Sequence, residues 1–144
     1  MKKIISLVLV FIIMVSFNVN AQSDVTVTID GVKVKFDVPP QIVEGRTLVP
    51  MRKIFESLGA KVTWIESDRS IIAIKDETII AMTIDSDKMV VTDLISTNSE
   101  TVILDVPPVI VDSRTMVPAR AISESLGLKV DWDNNTRTVI ILSK

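Results

Sequence analysis

Along most of the chain apolar residues alternate with polar ones at a period of two, the pattern of a strand with one buried face. Residues 25–29 alternate in this way, Asp30-Gly31 suits a tight turn, and residues 32–36 alternate again. This predicts a β-hairpin with Val32, Val34 and Phe36 on one face and Lys33 and Lys35 on the other. Val38-Pro39-Pro40 must be extended, because each proline disfavours helix in the residue before it. A second short hairpin is expected over residues 41–49, turning at Glu44-Gly45. The period then changes. Met51, Ile54, Phe55 and Leu58 fall at i, i+3, i+4 and i+7, one apolar helical stripe. Pro50 fits the first helical position and Gly59 the stop. A helix over residues 50–58 is too short to stand alone in water, so a sheet must hold it. Strands over 61–64 and 71–75 follow, joined by a turn at 66–69.

The chain writes this unit a second time. Pro39-Pro40, Arg46-Thr47, Val49-Pro50, Arg52, Glu56-Ser57-Leu58-Gly59 and Trp64 recur as Pro107-Pro108, Arg114-Thr115, Val117-Pro118, Arg120, Glu124-Ser125-Leu126-Gly127 and Trp132. Asp37 and Asp105 open the two copies 68 residues apart, and the match runs on into Arg69/Arg137 and Ile72/Ile140. One supersecondary unit used twice is the simplest account. A hairpin over 78–84 and 88–92 takes the place that 25–36 holds in the first copy. Residues 93–99 depart from the repeat and read as a polar, exposed loop before a strand over 101–104. A helix over 118–126 and strands over 129–132 and 138–142 complete copy two. Its stripe is weaker, with Ala119 and Ser123 where copy one has Met51 and Phe55. The fold class is therefore α+β: antiparallel β-sheets wrapped around two short α-helices, built from two tandem pseudo-repeats. The copies lie at about residues 25–75 and 78–142, and each alone would be marginal, so one compact domain is expected.

The start of the chain has a different pattern. Lys2 and Lys3 precede an apolar run over 4–17, and Val19-Asn20-Ala21 supplies small residues at cleavage-site spacing. This predicts a secretory signal peptide over 1–21 and a mature domain over 22–144. The run is shorter than the roughly 20 residues of a membrane span, although retention as an anchor is the alternative. With no cysteine, lipoprotein anchoring and disulfide stapling are both excluded. No membrane contact is expected after cleavage, and the oligomeric state is open.

Charge and composition exclude more chemistry than they suggest. The formal net charge is −2 and becomes more negative if Lys2 and Lys3 are removed. That balance argues against nucleic acid and against electrostatic adhesion to anionic polymers. The absence of His, Cys and Tyr removes histidine bases, Ser-His and Cys-His nucleophile pairs, and ordinary zinc sites. Carboxylate chemistry, a Ser-Lys pair or an oxygen-ligand Ca²⁺ or Mg²⁺ site stay possible.

Four residues are candidates for partner binding. Arg52 and Arg120 sit in the first helical turn, where a cation opposes the helix dipole, and Glu56 and Glu124 follow in the less favourable order. Each arginine should therefore have another acceptor. That is either a structural one (strand or loop carbonyls, Asp37, Asp105) or an anionic group on a partner. Arg46 and Arg114, just past the hairpin turns, are weighed the same way, with structure favoured. Trp64 and Trp132 either pack on the core or offer faces on which sugar rings can stack. Asp131, Asp133, Asn134 and Asn135 offer oxygens, but without the glycine and distal glutamate of an EF-hand loop they read as a turn, as do Asp85 and Asp87. No catalytic, metal or cofactor residues are singled out.

The repeated unit, from Pro39-Pro40 through Arg46-Thr47, Val49-Pro50-Met51-Arg52 and Glu56 to Trp64, resembles the copper amine oxidase N-terminal-like domain, also called the stalk domain. Both copies match, so the resemblance covers nearly the whole of residues 22–144. Copy two departs from the pattern at Ala119 and at Asp112-Ser113. The resemblance implies an antiparallel sheet twisted around helix, on exported and cell-envelope proteins of Gram-positive bacteria. Amine oxidases of that class hold copper with histidines and make a quinone from tyrosine, in a different domain. This chain has neither residue type, so amine oxidation is excluded and no cofactor is expected. The reading is a non-catalytic secreted or cell-envelope module, contacting a cell-wall polysaccharide or an envelope protein. The alternatives are an extracytoplasmic inhibitor or chaperone-like protein and a small carboxylate-dependent glycan-processing enzyme.

Overall fold

A computed structural model describes residues 24–144. The expected leader and its cleavage site lie outside the described residues. Among the described residues no helix is long and apolar enough to cross a membrane.

The alternating pattern becomes short strands and the period change becomes helix. The first half contains β1 (Thr26–Ile29), β2 (Val32–Lys33), β3 (Gln41–Val43), β4 (Arg46–Pro50), α1 (Met51–Ser57), β5 (Lys61–Ile65) and β6 (Ser70–Lys75). The second contains β7 (Thr78–Thr83), β8 (Lys88–Asp93), β9 (Ser99–Ile103), β10 (Val109–Val111), β11 (Arg114–Pro118), α2 (Ala119–Ser125), β12 (Lys129–Asp133) and β13 (Thr138–Leu142). From β10 to β13 every element begins 68 residues after its counterpart in the run from β3 to β6.

Both helices are one residue shorter at each end than the stripe predicts, because Pro50 and Pro118 stay as the last strand residues and act as N-caps, while Leu58 and Leu126 are the C-caps. Both end alike. Gly59 donates to the Glu56 carbonyl and Ala60 to that of Phe55, and Gly127 and Leu128 repeat this with Glu124 and Ser123. The closure needs a left-handed residue, which Gly59 (φ 80°) and Gly127 (φ 79°) supply without a Cβ clash.

Three sheets form, ordered β12-β13-β1-β2, β10-β11-β4-β3 and β5-β6-β7-β8-β9. Most pairings are antiparallel, with one exception that corrects the sequence reading. β1 runs parallel to β13, Val27 opposite Val139. β7 takes the same place beside β6 but runs antiparallel, because the two-residue turn at Asp76-Glu77 reverses the chain. No turn joins β1 to β13, so nothing local sets their direction. The loop expected over 93–99 is also tighter than predicted. Asp93 accepts from the backbone N–H of Ile95 (2.7 Å) and Ser96 (3.0 Å), and β9 starts at Ser99 and pairs with β8 as a hairpin. Val32 is 70% exposed, while Val34 on the same predicted face is buried. β2 is an edge strand only two residues long, and Val32 sits at its turn end.

The central sheet joins the two halves. In the antiparallel β4–β11 pair, Leu48 faces Pro118, Val49 faces Val117 and Pro50 faces Met116. Val49 and Val117 are counterparts in the two copies, so the pairing is symmetric about a local two-fold axis between them. Their side chains join the main core with Ile54, Phe55 and Leu58 of the first copy and Ile122 of the second. Leu48 and Met116 point the other way, as strand alternation requires, into a smaller cluster with Val106.

Ser123 is the one polar side chain fully buried among the described residues, and its Oγ has no hydrogen-bond partner there. A buried hydroxyl without a partner is destabilising, and alanine is the better helix former. Ser123→Ala should therefore stabilise the fold by about 1 kcal/mol, seen as a higher urea midpoint. A lower midpoint would show that the hydroxyl is paired.

Candidate functional site

The local two-fold arrangement builds two equivalent grooves. The floor of the first is the exposed side of α1, with Arg52 and Glu56, and the buried Met51 at the start of the helix. Trp64 at the end of β5 forms one wall, and the β10–β11 hairpin of the other half, with Ile110 and Arg114, forms the opposite wall. The second groove is laid out the same way on α2, with Ala119, Arg120 and Glu124, Trp132 on β12, and Ile42 and Arg46 from the β3–β4 hairpin. Every residue lining the first groove has a counterpart, 68 residues away, lining the second. Their volumes are about 750 Å³ and 810 Å³.

Each groove needs both halves of the chain. Asp37 receives the Arg114 guanidinium through Nε (2.8 Å) and Nη2 (2.7 Å). Asp105 receives Arg46 in the same way, Nε lying at 2.7 Å. The two pairs are reciprocal, each crossing from one half to the other. The Arg114 hydrogen bond, with a smaller one from the Val38 N–H, holds the Asp37 carboxyl below its ordinary pKa. All four side chains are at least half exposed, so screening keeps their contribution to stability small. Their consequence is geometric, since they orient two arginines along the groove walls.

The structure brings Arg52 and Trp64 together in the first groove and Arg120 and Trp132 together in the second. The aspartate clamp considered for Arg52 and Arg120 is absent, because Arg46 and Arg114 already occupy Asp105 and Asp37. The two helical arginines are also unequal. Arg120 donates to the Val130 carbonyl at 3.0 Å and to Glu124 at 3.3 Å. Arg52 reaches only Glu56, at 3.8 Å. Both tryptophans are half-buried and packed on the main core, each with part of the ring surface open to its groove. Trp64 Nε1 donates to Glu66, which fixes its ring, whereas Asn134 replaces that glutamate beside Trp132.

Lys35 and Lys53 also line the first groove, and sequence reasoning gave them no role. The one signal was their divergence within the repeat, where Ile103 and Ala121 stand as counterparts. The turn reading of Asp133 matches its contacts, since its Oδ1 accepts from the N–H groups of Asn135 (2.9 Å) and Thr136 (3.3 Å). Among the described residues no group of three or more acidic side chains could hold a metal ion. Four carboxyls, those of Asp30, Asp37, Asp93 and Asp133, are shifted, and hydrogen bonds lower all four. A general acid working near neutral pH needs the opposite shift.

Residues 28–141 match the family model described as the copper amine oxidase N-terminal domain. No curated protein matches the chain.

Proposed function

The chain belongs to the copper amine oxidase N-terminal domain family, and on that premise we propose that it is a non-catalytic binding module working outside the cytoplasm. It is exported by the leader over residues 1–21 and contacts a cell-wall polymer through its two grooves. The observation that carries this reading is the repeated pairing of an arginine with a half-open tryptophan, once in each groove. An aromatic face held at a groove wall stacks on sugar rings, and guanidinium groups beside it take hydroxyl or carboxylate oxygens. Two such sites on one chain let a polymer engage both at once, which raises avidity without any new contact. A family whose domain is not the catalytic one favours binding over turnover.

The test is retention of the mature protein on purified cell-wall material, with Trp64→Ala and Trp132→Ala beside the wild type. Each should weaken retention about threefold to tenfold, the size of a lost aromatic contact. Because both rings also rest on the core, each variant should melt earlier, so binding is measured well below its melting temperature. Wild-type retention by both variants would discard the groove reading. No retention of the wild type would discard the wall-polymer reading itself.

A further inference from the structure

The two grooves share a layout but not a charge. In the first, cationic side chains outnumber carboxylates five to three. In the second, four carboxylates stand against three cations. The excess in the first comes from Lys35 and Lys53, whose counterparts in the second are the uncharged Ile103 and Ala121. Neither lysine has a carboxylate partner among the described residues, and both are exposed. Arg52 lies beside them, held only by a long contact to Glu56. A chain of net charge −2 thus concentrates unpaired positive charge around one tryptophan.

From this juxtaposition of Trp64, Arg52, Lys35 and Lys53 we propose that the first groove is a subsite for a carboxylate-bearing polysaccharide, a chain of uronate-type pyranose rings. The proposal rests on the binding-module reading above and assigns its ligand class. Charge complementarity selects an anion. Trp64 selects a pyranose ring, because its indole face matches a flat sugar face and is held in place by Glu66. An acidic peptide offers the charge without the ring, and a glycerol phosphate chain lacks the ring as well. Whole-chain charge misleads here because it averages over two surfaces of opposite sign, whereas a ligand within a Debye length senses only the nearest side chains.

The experiment measures binding of the mature protein to polygalacturonate fragments, a neutral glucan, poly(glycerol phosphate) and poly-L-glutamate, at low and moderate salt. Lys35→Gln/Lys53→Gln is compared with Lys88→Gln/Lys129→Gln, which removes the same charge away from both grooves. Polygalacturonate should bind tightest, and more weakly as salt rises. The groove pair should lose about tenfold in affinity and the control pair less than twofold, both keeping the wild-type circular dichroism. Equal losses in the two pairs overturn the assignment. So does equal binding of the glucan, or tighter binding of poly-L-glutamate or poly(glycerol phosphate). If wall material retains the protein but polygalacturonate does not, this inference fails and the binding-module reading stands.

Discussion

Phe55→Ala should remove about 3–5 kcal/mol of unfolding free energy, the cost of a large cavity at a fully buried aromatic site. Phe55 heads the fully buried side chains by volume and lies in the main core with Ile54 and Leu58 of the same helix. α1 has only seven residues and cannot hold its shape without that packing. A domain stable by about 5–15 kcal/mol would lose about a fifth of its margin or more. Urea unfolding gives the difference, and a loss below about 1 kcal/mol would mean that the neighbours collapse into the space. The counterpart Ser123 makes the contrast instructive. At one position of the repeat a phenyl ring fills the core, and at the other a hydroxyl is buried without a partner. The same substitution to alanine should therefore move stability in opposite directions in the two copies.

Val49→Asp should abolish the folded state at neutral pH. Val49 and Val117 meet at the centre of β4–β11, both fully buried, where the two halves are joined. A carboxylate there has no cation to pair with and costs several kcal/mol even after relaxation. Burial raises the pKa of the new carboxyl above its unfolded value of about 3.9. The charge penalty is then absent below about pH 4 and grows as pH rises towards the raised folded value. The wild type has the opposite tendency. Asp37, held low mainly by Arg114, contributes stability above its unfolded pKa and loses it as pH falls through the lower folded one. The quantity to follow is thus the difference between variant and wild type by far-UV circular dichroism from pH 4 to pH 8. A variant that melts like the wild type at pH 7 would show that the two halves do not depend on this contact.

Much of the architecture could be read locally. The i, i+3, i+4, i+7 stripe from Met51 to Leu58 located α1, and the glycine after each stripe located its end. Asp30-Gly31 and Glu44-Gly45 marked turns whose residues all have positive φ. Asp112-Ser113 makes the same turn without glycine, Ser113 adopting φ 62°, because the flanking strands β10 and β11 hold it closed. Arg52, Trp64, Arg120 and Trp132 stood out as repeated polar or aromatic residues, and each lines a groove. Their grouping was not legible. The Arg46–Asp105 and Arg114–Asp37 pairs span 59 and 77 residues, and no local pattern says that the acid of one copy receives the arginine of the other. Lys35 and Lys53 looked like ordinary solvated lysines, since a groove exists only once β10–β11 lies across α1.

By itself, the sequence determined the type and order of the elements and the recurrence of one motif at a 68-residue offset, because hydrophobic period, turn chemistry and helix stops act within a few residues. It also ruled out histidine, cysteine and tyrosine chemistry by composition alone. The tertiary structure decided the parallel union of β1 with β13, the two-fold contact at Val49 and Val117, the exchanged ion pairs and the unequal charge of the grooves. Each of these depends on which distant segments come into contact, and that is set by burying one shared core rather than by any neighbouring residue.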